Sequence, residues 1–274
     1  MTQQLKNSSA RSDIALATHG RAVATREIVE RLIARDEPVA LFLDIDGTLL
    51  DVALTPSSVH VPPNLSDVLD ALSKRLHGAL AIVTGRPLQE ADRLLHPARV
   101  VGGGVHGGEM RFSDNGIIET LTPKFSHSLI VDVKRIAEDL PGIVYEDKGS
   151  GIALHYRLAP ELHRALMARI EMLAPMYPNQ FSICEGRKVV ELLPIGFSKG
   201  RALRKLASLP AFANKLPVMI GDDIADVDAF RAAEELGGYG LKVAGENFSE
   251  AESAFQSPSE VLAWLQKFSA PGQT

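Results

Sequence analysis

From Pro38 onward, apolar and polar positions follow one another in blocks, a short apolar run and then an amphipathic stretch. VALFL (39–43) and ALAIV (79–83) are unbroken apolar runs, the pattern of strands covered on both faces, as parallel strands are. RVV (99–101), PVMI (217–220) and YGLKV (239–243) resemble them. Between the first two, Leu65, Val68, Leu69, Leu72 and Leu76 recur at helical spacing, with Asn64 placed to cap the helix and Gly78 to stop it. Pro87 can open a second helix, Ser198 can cap a third, and Asp222 or Asp223 stands where a fourth would begin. Strand, helix, strand is the crossover unit of a parallel sheet.

The middle of the chain breaks this rhythm. It reads as helix (126–140), strand (143–147), strand (152–157), helix (160–174), strand (180–185) and strand (188–193). The turn-rich links DKGSG (147–151) and EGRK (185–188) give hairpins in place of crossovers. The predicted fold is therefore α/β: a Rossmann-like parallel sheet core with helices on both faces, and an inserted αββαββ domain. Pro and Gly punctuate the chain at Thr122-Pro123 and from Pro194 to Gly196. The expected division is an N-terminal extension over 1–37, partly disordered, a core over 38–122 and 195–274, and the insertion over 123–194.

Composition narrows the class. Of 274 residues, 45% are apolar and the formal net charge is −5, without the basic excess of a nucleic-acid binder. A small anionic substrate stays possible, because a cleft can focus positive potential whatever the net sign. No apolar run approaches the roughly 18 residues of a membrane span, and no compact apolar block precedes a small-residue cleavage site. Cys184 is the single cysteine, which excludes an intrachain disulfide and fits a reducing compartment, so the cytoplasm is expected.

The chemistry gathers where the apolar runs end. LFL is followed by Asp44-Ile45-Asp46-Gly47-Thr48, AIV by Thr84-Gly85-Arg86, and VMI by Gly221-Asp222-Asp223. Ligands of an open parallel sheet bind beyond the carboxyl ends of its strands, so these segments are expected to meet at one edge. Carboxylates so crowded cannot all stay ionised in a partly desolvated site without a cation, and an all-oxygen donor set suggests Mg²⁺. GGGVHG (102–107) formally matches a dinucleotide-binding fingerprint, but GEMRFSDNGII follows it, a turn-and-strand pattern where a helix N-terminus is required.

These segments carry a family resemblance. DIDGTLL resembles the first motif of the haloacid dehalogenase superfamily, VTGR its second, Lys199 in FSKG its third and GDDIADVD its fourth. The resemblance implies phosphoryl transfer through an aspartyl-phosphate. Asp44 would be the nucleophile and Asp46 the general acid and then base, with Thr84 and Lys199 holding the phosphoryl oxygens. Mg²⁺ would sit between the Asp44 side chain, the Asp46 main-chain carbonyl and Asp222. Asp223 and Asp226 would orient Lys199 or metal-bound water, and Gly47 would let the backbone turn close to the phosphate.

GVHGGEMR (104–111), YEDKGSGIALHYR (145–157) and EGRKVVELLP (185–194) are further similar to the trehalose-6-phosphate phosphatase family, whose inserted domain is a cap closing over a sugar phosphate. That likeness implies that Glu146, Lys148, Arg187 and Glu191 reach from the cap to sugar hydroxyls. His106 and Glu109 would line the cleft floor, and Gly85 and Arg86 would face the substrate. His155 is left open between sheet face and cleft, while Arg157 and Asp228 are expected at the surface. Ala225 and Val227 replace the Thr and Glu usual in the family's fourth motif, which puts its metal loop in question.

The expected partner is a small-molecule sugar phosphate, with neither nucleic acid nor membrane, and a functional pairing with a trehalose-phosphate synthase. The alternatives are a phosphatase for sucrose-phosphate or mannosyl-phosphoglycerate, and a non-catalytic sugar-phosphate sensor.

Overall fold

The computed structural model describes residues 20–52 and 59–269. Helical residues 20–34 (α1) precede β1 (Val39–Leu43), α2 (Leu65–Arg75), β2 (Leu80–Val83), α3 (Leu88–Leu94), β3 (Val101–Gly104), β4 (Glu109–Arg111) and β5 (Glu119–Thr120). The insertion contributes α4 (His127–Glu138), β6 (Val144–Asp147), β7 (Ile152–His155), α5 (His163–Leu173), β8 (Phe181–Gly186) and β9 (Val189–Pro194). The chain then returns through α6 (Lys199–Ala207), β10 (Leu216–Gly221), α7 (Val227–Glu235), β11 (Tyr239–Lys242) and α8 (Pro258–Ser269).

The apolar runs become one seven-stranded sheet in the order β11-β10-β1-β2-β3-β4-β5. The pairs from β11 to β3 are parallel, and β4 and β5 add an antiparallel edge. All five residues of β1 are buried, with Phe42 against Phe212 at 5.4 Å between ring centroids. Helix α2 packs with α8, and α6 with α7. Trp264 of α8 lies edge-on to Phe255 and Phe268, with Leu262 and Leu265 buried alongside.

Some sequence expectations shift. RVV is not the third strand; β3 is Val101–Gly104, three glycines that β propensity argues against. Close approach overrides propensity here, since a β-carbon at Gly102 would stand 2.8 Å from the Ile82 carbonyl and one at Gly104 2.8 Å from Leu88. Asn64 makes no side-chain cap, whereas Ser198 accepts from the Arg201 N–H as anticipated. Of the stretch 1–37, residues 1–19 lie outside those described, while α1 places Val29 and Ile33 in the core of the sheet.

The cap has its own core. Leu129, Val133, Leu154, Leu166, Ile170, Val190 and Leu192 cluster between α4, α5 and a four-stranded antiparallel sheet ordered β6-β7-β9-β8. Strand alternation divides this sheet. Tyr145, Leu154, Val190 and Leu192 pack toward the helices, so their neighbours Glu146, His155, Val189 and Glu191 face the other way, into the cleft. Ala153 is paired with both Glu146 and Glu191, which puts the two acids in one row.

Candidate active site

β1 lies between β10 and β2, so the direction of strand addition reverses beside it, and the end of β1 is a switch point of the sheet. The Asp44 N–H donates to the Ile220 carbonyl at 3.0 Å, which fixes Asp44 as the last ladder residue beside the end of β10. Gly47 then turns the chain at φ +80°, and a β-carbon there would collide with the Asp222 carboxylate. No residue but glycine meets both demands.

Lys199, the first residue of α6, is 3% exposed and bridges Asp44 Oδ1 at 2.8 Å and Asp226 Oδ1 at 2.7 Å. Carboxylate oxygens of Asp44, Asp222 and Asp226 lie within 4.8 Å of one another, and all three residues are buried. Burial and then the Asp226 and Asp223 charges push Asp222 up to about 7. Burial likewise raises Asp44 well above the carboxylate range, with Asp226 and Asp222 adding to it against the pull of Lys199. Burial works against a charged Lys199, but Asp226 and Asp44 outweigh it and hold its pKa well above the usual value.

Asp222 Oδ1 is buried and has no hydrogen-bond partner. An orphaned carboxylate oxygen among crowded acids fits a hard divalent cation, which would satisfy the oxygen and neutralise the excess charge. Asp226 is wired otherwise: its second oxygen accepts from the Asp223 N–H at 3.0 Å, closing a capping box ahead of α7.

Beside this cluster, both oxygens of Asp46 accept from Arg86, each at 2.6 Å, in a fork-to-fork pair. Arg86 also lies 3.5 Å from Glu90, a pocket residue that sequence reasoning passed over although it stands one helical turn on. Thr84 is buried at the end of β2, and its hydroxyl accepts from the Arg86 N–H at 3.1 Å.

The cap closes the cleft from above. Glu191 takes His106 Nε2 on one oxygen at 2.5 Å and Lys148 Nζ on the other at 2.5 Å, and Lys148 donates again to the Gly85 carbonyl at 2.9 Å. This chain joins cap to core. Gly85 must be bare, because a β-carbon would lie 2.8 Å from His106 Nε2. Glu146 accepts from His155 at 2.6 Å, and Arg187 reaches down to within 3.6 Å of Asp222. The half-open cavity between cap and core measures about 440 Å³, within the usual range of small-molecule sites.

Most of the residues read from sequence therefore meet in one cleft, with some reassignments. Glu109 leaves the cleft floor; it accepts from the Leu88 N–H at 2.8 Å and caps α3 in place of a side chain that Pro87 lacks. Asp223 does not touch Lys199: it accepts from the Arg187 N–H at 3.1 Å and from Asn247 at 2.8 Å, latching the cap hairpin to the core. His155 and Arg157 both line the cavity, along with the apolar Val144, Leu158 and Val189. Strand parity could have placed His155, two residues on from Ala153. Arg157, beyond the end of β7, carried no such signal. Asp228 is half-buried rather than a plain surface residue. Ala225 lines the cavity.

An open parallel sheet with acids at its switch point, a buried lysine between them and a hairpin-built cap above is the arrangement of the capped phosphatases of the haloacid dehalogenase superfamily. The family model for trehalose-phosphatase matches residues 42–261. A probable trehalose-phosphate phosphatase of Sinorhizobium fredii is 41% identical over 74% of this chain and 77% of its own. The trehalose-6-phosphate phosphatase of Escherichia coli is 34% identical over 83% and 85% of the two chains. The C-terminal domain of the Candida albicans trehalose-6-phosphate phosphatase superposes with a TM-score of 0.74 at 22% identity, covering 87% of this chain and 96% of that one. The chain belongs to the trehalose-phosphatase family, a family of phosphoric monoester hydrolases.

Proposed function

We propose that the protein hydrolyses trehalose 6-phosphate to trehalose and phosphate through a phosphorylated Asp44. The observation that carries the reading is the buried Asp44–Lys199–Asp226 bridge beside an Asp222 oxygen with no partner. The Asp44 oxygen not engaged by Lys199 forms the bond to phosphorus as the ester P–O bond breaks, and Asp46 delivers a proton to the departing sugar oxygen. Asp46 then takes a proton from water, whose oxygen attacks the acyl phosphate, releasing phosphate and restoring Asp44. Thr84 and Lys199 hold the phosphoryl oxygens. Asp44, Asp222 and the Asp46 main chain would hold Mg²⁺, which supplies neutralising charge to the transferring group.

While the fork with Arg86 is closed, both Asp46 oxygens are occupied, so Asp46 must leave Arg86 before it can serve a leaving group. Arg86 is thereby released toward the substrate phosphate. On the cap, Glu146, Lys148, Arg187 and Glu191, with His106 and the Gly85 carbonyl below, offer acceptors and donors suited to sugar hydroxyls. A glycosyl transfer onto a sugar phosphate must supply the substrate, so pairing with a trehalose-phosphate synthase belongs to the proposal, as does a cytoplasmic location. The location is supported by the single Cys184 and by the fact that no described helix is long and apolar enough to cross a membrane.

The test is Mg²⁺-dependent phosphate release from a panel of disaccharide phosphates, with mass-spectrometric trapping of phosphate on Asp44 and Asp44→Asn as control. Preference for trehalose 6-phosphate with a trapped adduct supports the reading. Turnover of another sugar alone removes the substrate assignment, and binding without turnover by the intact protein removes catalysis.

A further inference from the structure

The start of α7, with its N-cap Asp226, grips the start of α6 at two points. One is the ion pair of Asp226 with Lys199 at 2.7 Å. The other is Asp228, whose Oδ2 accepts from the Ser198 hydroxyl at 2.5 Å and from the Gly200 N–H at 3.1 Å. Ser198 Oγ in turn accepts from the Arg201 N–H at 3.2 Å. A single carboxylate oxygen thus collects donors from the residues on both sides of Lys199, at the positive end of a nine-residue helix. Gly200 is bare because the two helices approach so closely here: a β-carbon would collide with both the carboxylate and the main-chain carbonyl of Asp228.

A lysine is a long side chain with much rotamer freedom, so the place of its ammonium depends on how firmly its main chain is held. Asp44 and Asp226 fix the tip of Lys199, while Ser198 and Gly200 fix its base. We propose that Asp228 is the positioning residue for Lys199, holding the Ser198–Gly200 backbone so that the ammonium arrives in register with Asp44. This rests on the reading of Lys199 as the cation that orients the transferring phosphoryl group. A merely structural helix–helix bond would change melting temperature and nothing else; positioning must also appear in turnover and in the shielding of Lys199.

Phosphate release would be followed on trehalose 6-phosphate and on p-nitrophenyl phosphate, with acetylation of Lys199 measured by mass spectrometry on the folded protein. Asp228→Ala should lower kcat about 10- to 100-fold on both esters, with KM for the sugar phosphate moving less than about threefold. Lys199 acetylation should speed up alongside. Asp228→Asn retains an acceptor oxygen for both donors and should recover most of both properties. Ser198→Ala, which removes one of the two donors, should shift both properties in the same direction, yet add little to the loss of kcat in the Asp228→Ala background, where the acceptor is gone.

An Asp228→Ala variant that melts lower but keeps its kcat and the protection of Lys199 overturns the assignment. If that variant does not fold, Ser198→Ala decides: normal kcat with normal protection overturns the assignment, and joint loss supports it. Labelling needs no substrate, so it still decides the positioning claim if the wild-type protein hydrolyses neither ester or if Lys199→Ala stays active, results that would count against the proposed function alone.

Discussion

The two walls of the cleft are both charged, but they are wired in opposite ways. On the core wall, Asp44 and Asp222 have their pKa values raised, by burial first and by neighbouring acids next, and one Asp222 oxygen has no partner. On the cap wall the acids are lowered. Glu146 is held down by its hydrogen bond from His155, and Glu191 by Lys148 and His106, which overcome its burial. A wall with unsatisfied negative charge is poised to take up something positive and to change state; a wall of closed pairs is set to recognise shape. On the proposed function, the difference gives chemistry to the core and discrimination to the cap.

The comparison breaks most visibly at Asp44. Asp44→Asn should reduce phosphate release by about 10³-fold or more on sugar phosphate and small ester alike, because the proposed nucleophile would serve both. Retention of even a tenth of the small-ester rate would place the chemistry elsewhere.

Next in size is Asp222. Asp222→Asn removes a buried charge crowded by Asp226 and Asp223, which the one longer contact to Arg187 offsets only in part, so in metal-free buffer the variant should be more stable to denaturant by about 1–3 kcal/mol. It should also lose the rise in melting temperature that Mg²⁺ gives the wild type. A variant less stable than the wild type without metal, or one that responds equally to Mg²⁺, would contradict the picture of a wall waiting for a cation.

Glu191 sharpens the contrast from the other side. Glu191→Gln should slow turnover of the sugar phosphate about 10- to 100-fold and spare p-nitrophenyl phosphate, a split that equal losses on both would refute. Its depressed pKa also carries a pH signature. The stability this carboxylate contributes is full above its ordinary value of 4.5 and drains away as pH falls toward its lower value in the fold. The variant should therefore melt below wild type at pH 7, and the gap should narrow in acid.

Much of this contrast was legible in sequence. The core site was readable because parallel strands are unbroken apolar runs, so a polar residue after one, such as Asp44, Thr84 or Asp222, is placed at the sheet edge by the pattern itself. Cap residues such as Glu146 and Glu191 came through the family resemblance, and the strand parity of the folded sheet accounts for why they share one face. What stayed hidden depends on the angle between elements. The two-carbon reach of Asp228 to the start of α6, the diversion of Glu109 to cap α3 and the latch from Asp223 to the Arg187 N–H each join segments whose meeting no local spacing encodes. The glycine strand β3 was misplaced for the same reason, its composition being set by Leu88 and Ile82 packing across it.

The smallest effect is expected at the rim of the cap, where Glu146 and His155 are each 30% exposed in their side chains. Water screens a pair so placed, and its net contribution to stability should stay below about 1 kcal/mol. If the pair serves only recognition, His155→Ala should leave the melting temperature almost unchanged while freeing Glu146 to sample other rotamers, so that KM for the sugar phosphate rises a few-fold, about 0.5–1 kcal/mol in binding. Catalysis on p-nitrophenyl phosphate should not move, because the pair lies on the cap sheet and not at the strand ends that carry Asp44. Steady-state kinetics on the two esters checks this directly: a fall in kcat for the small ester would mean that the cap wall helps to build the chemical site, and the division of labour between the two walls would have to be given up.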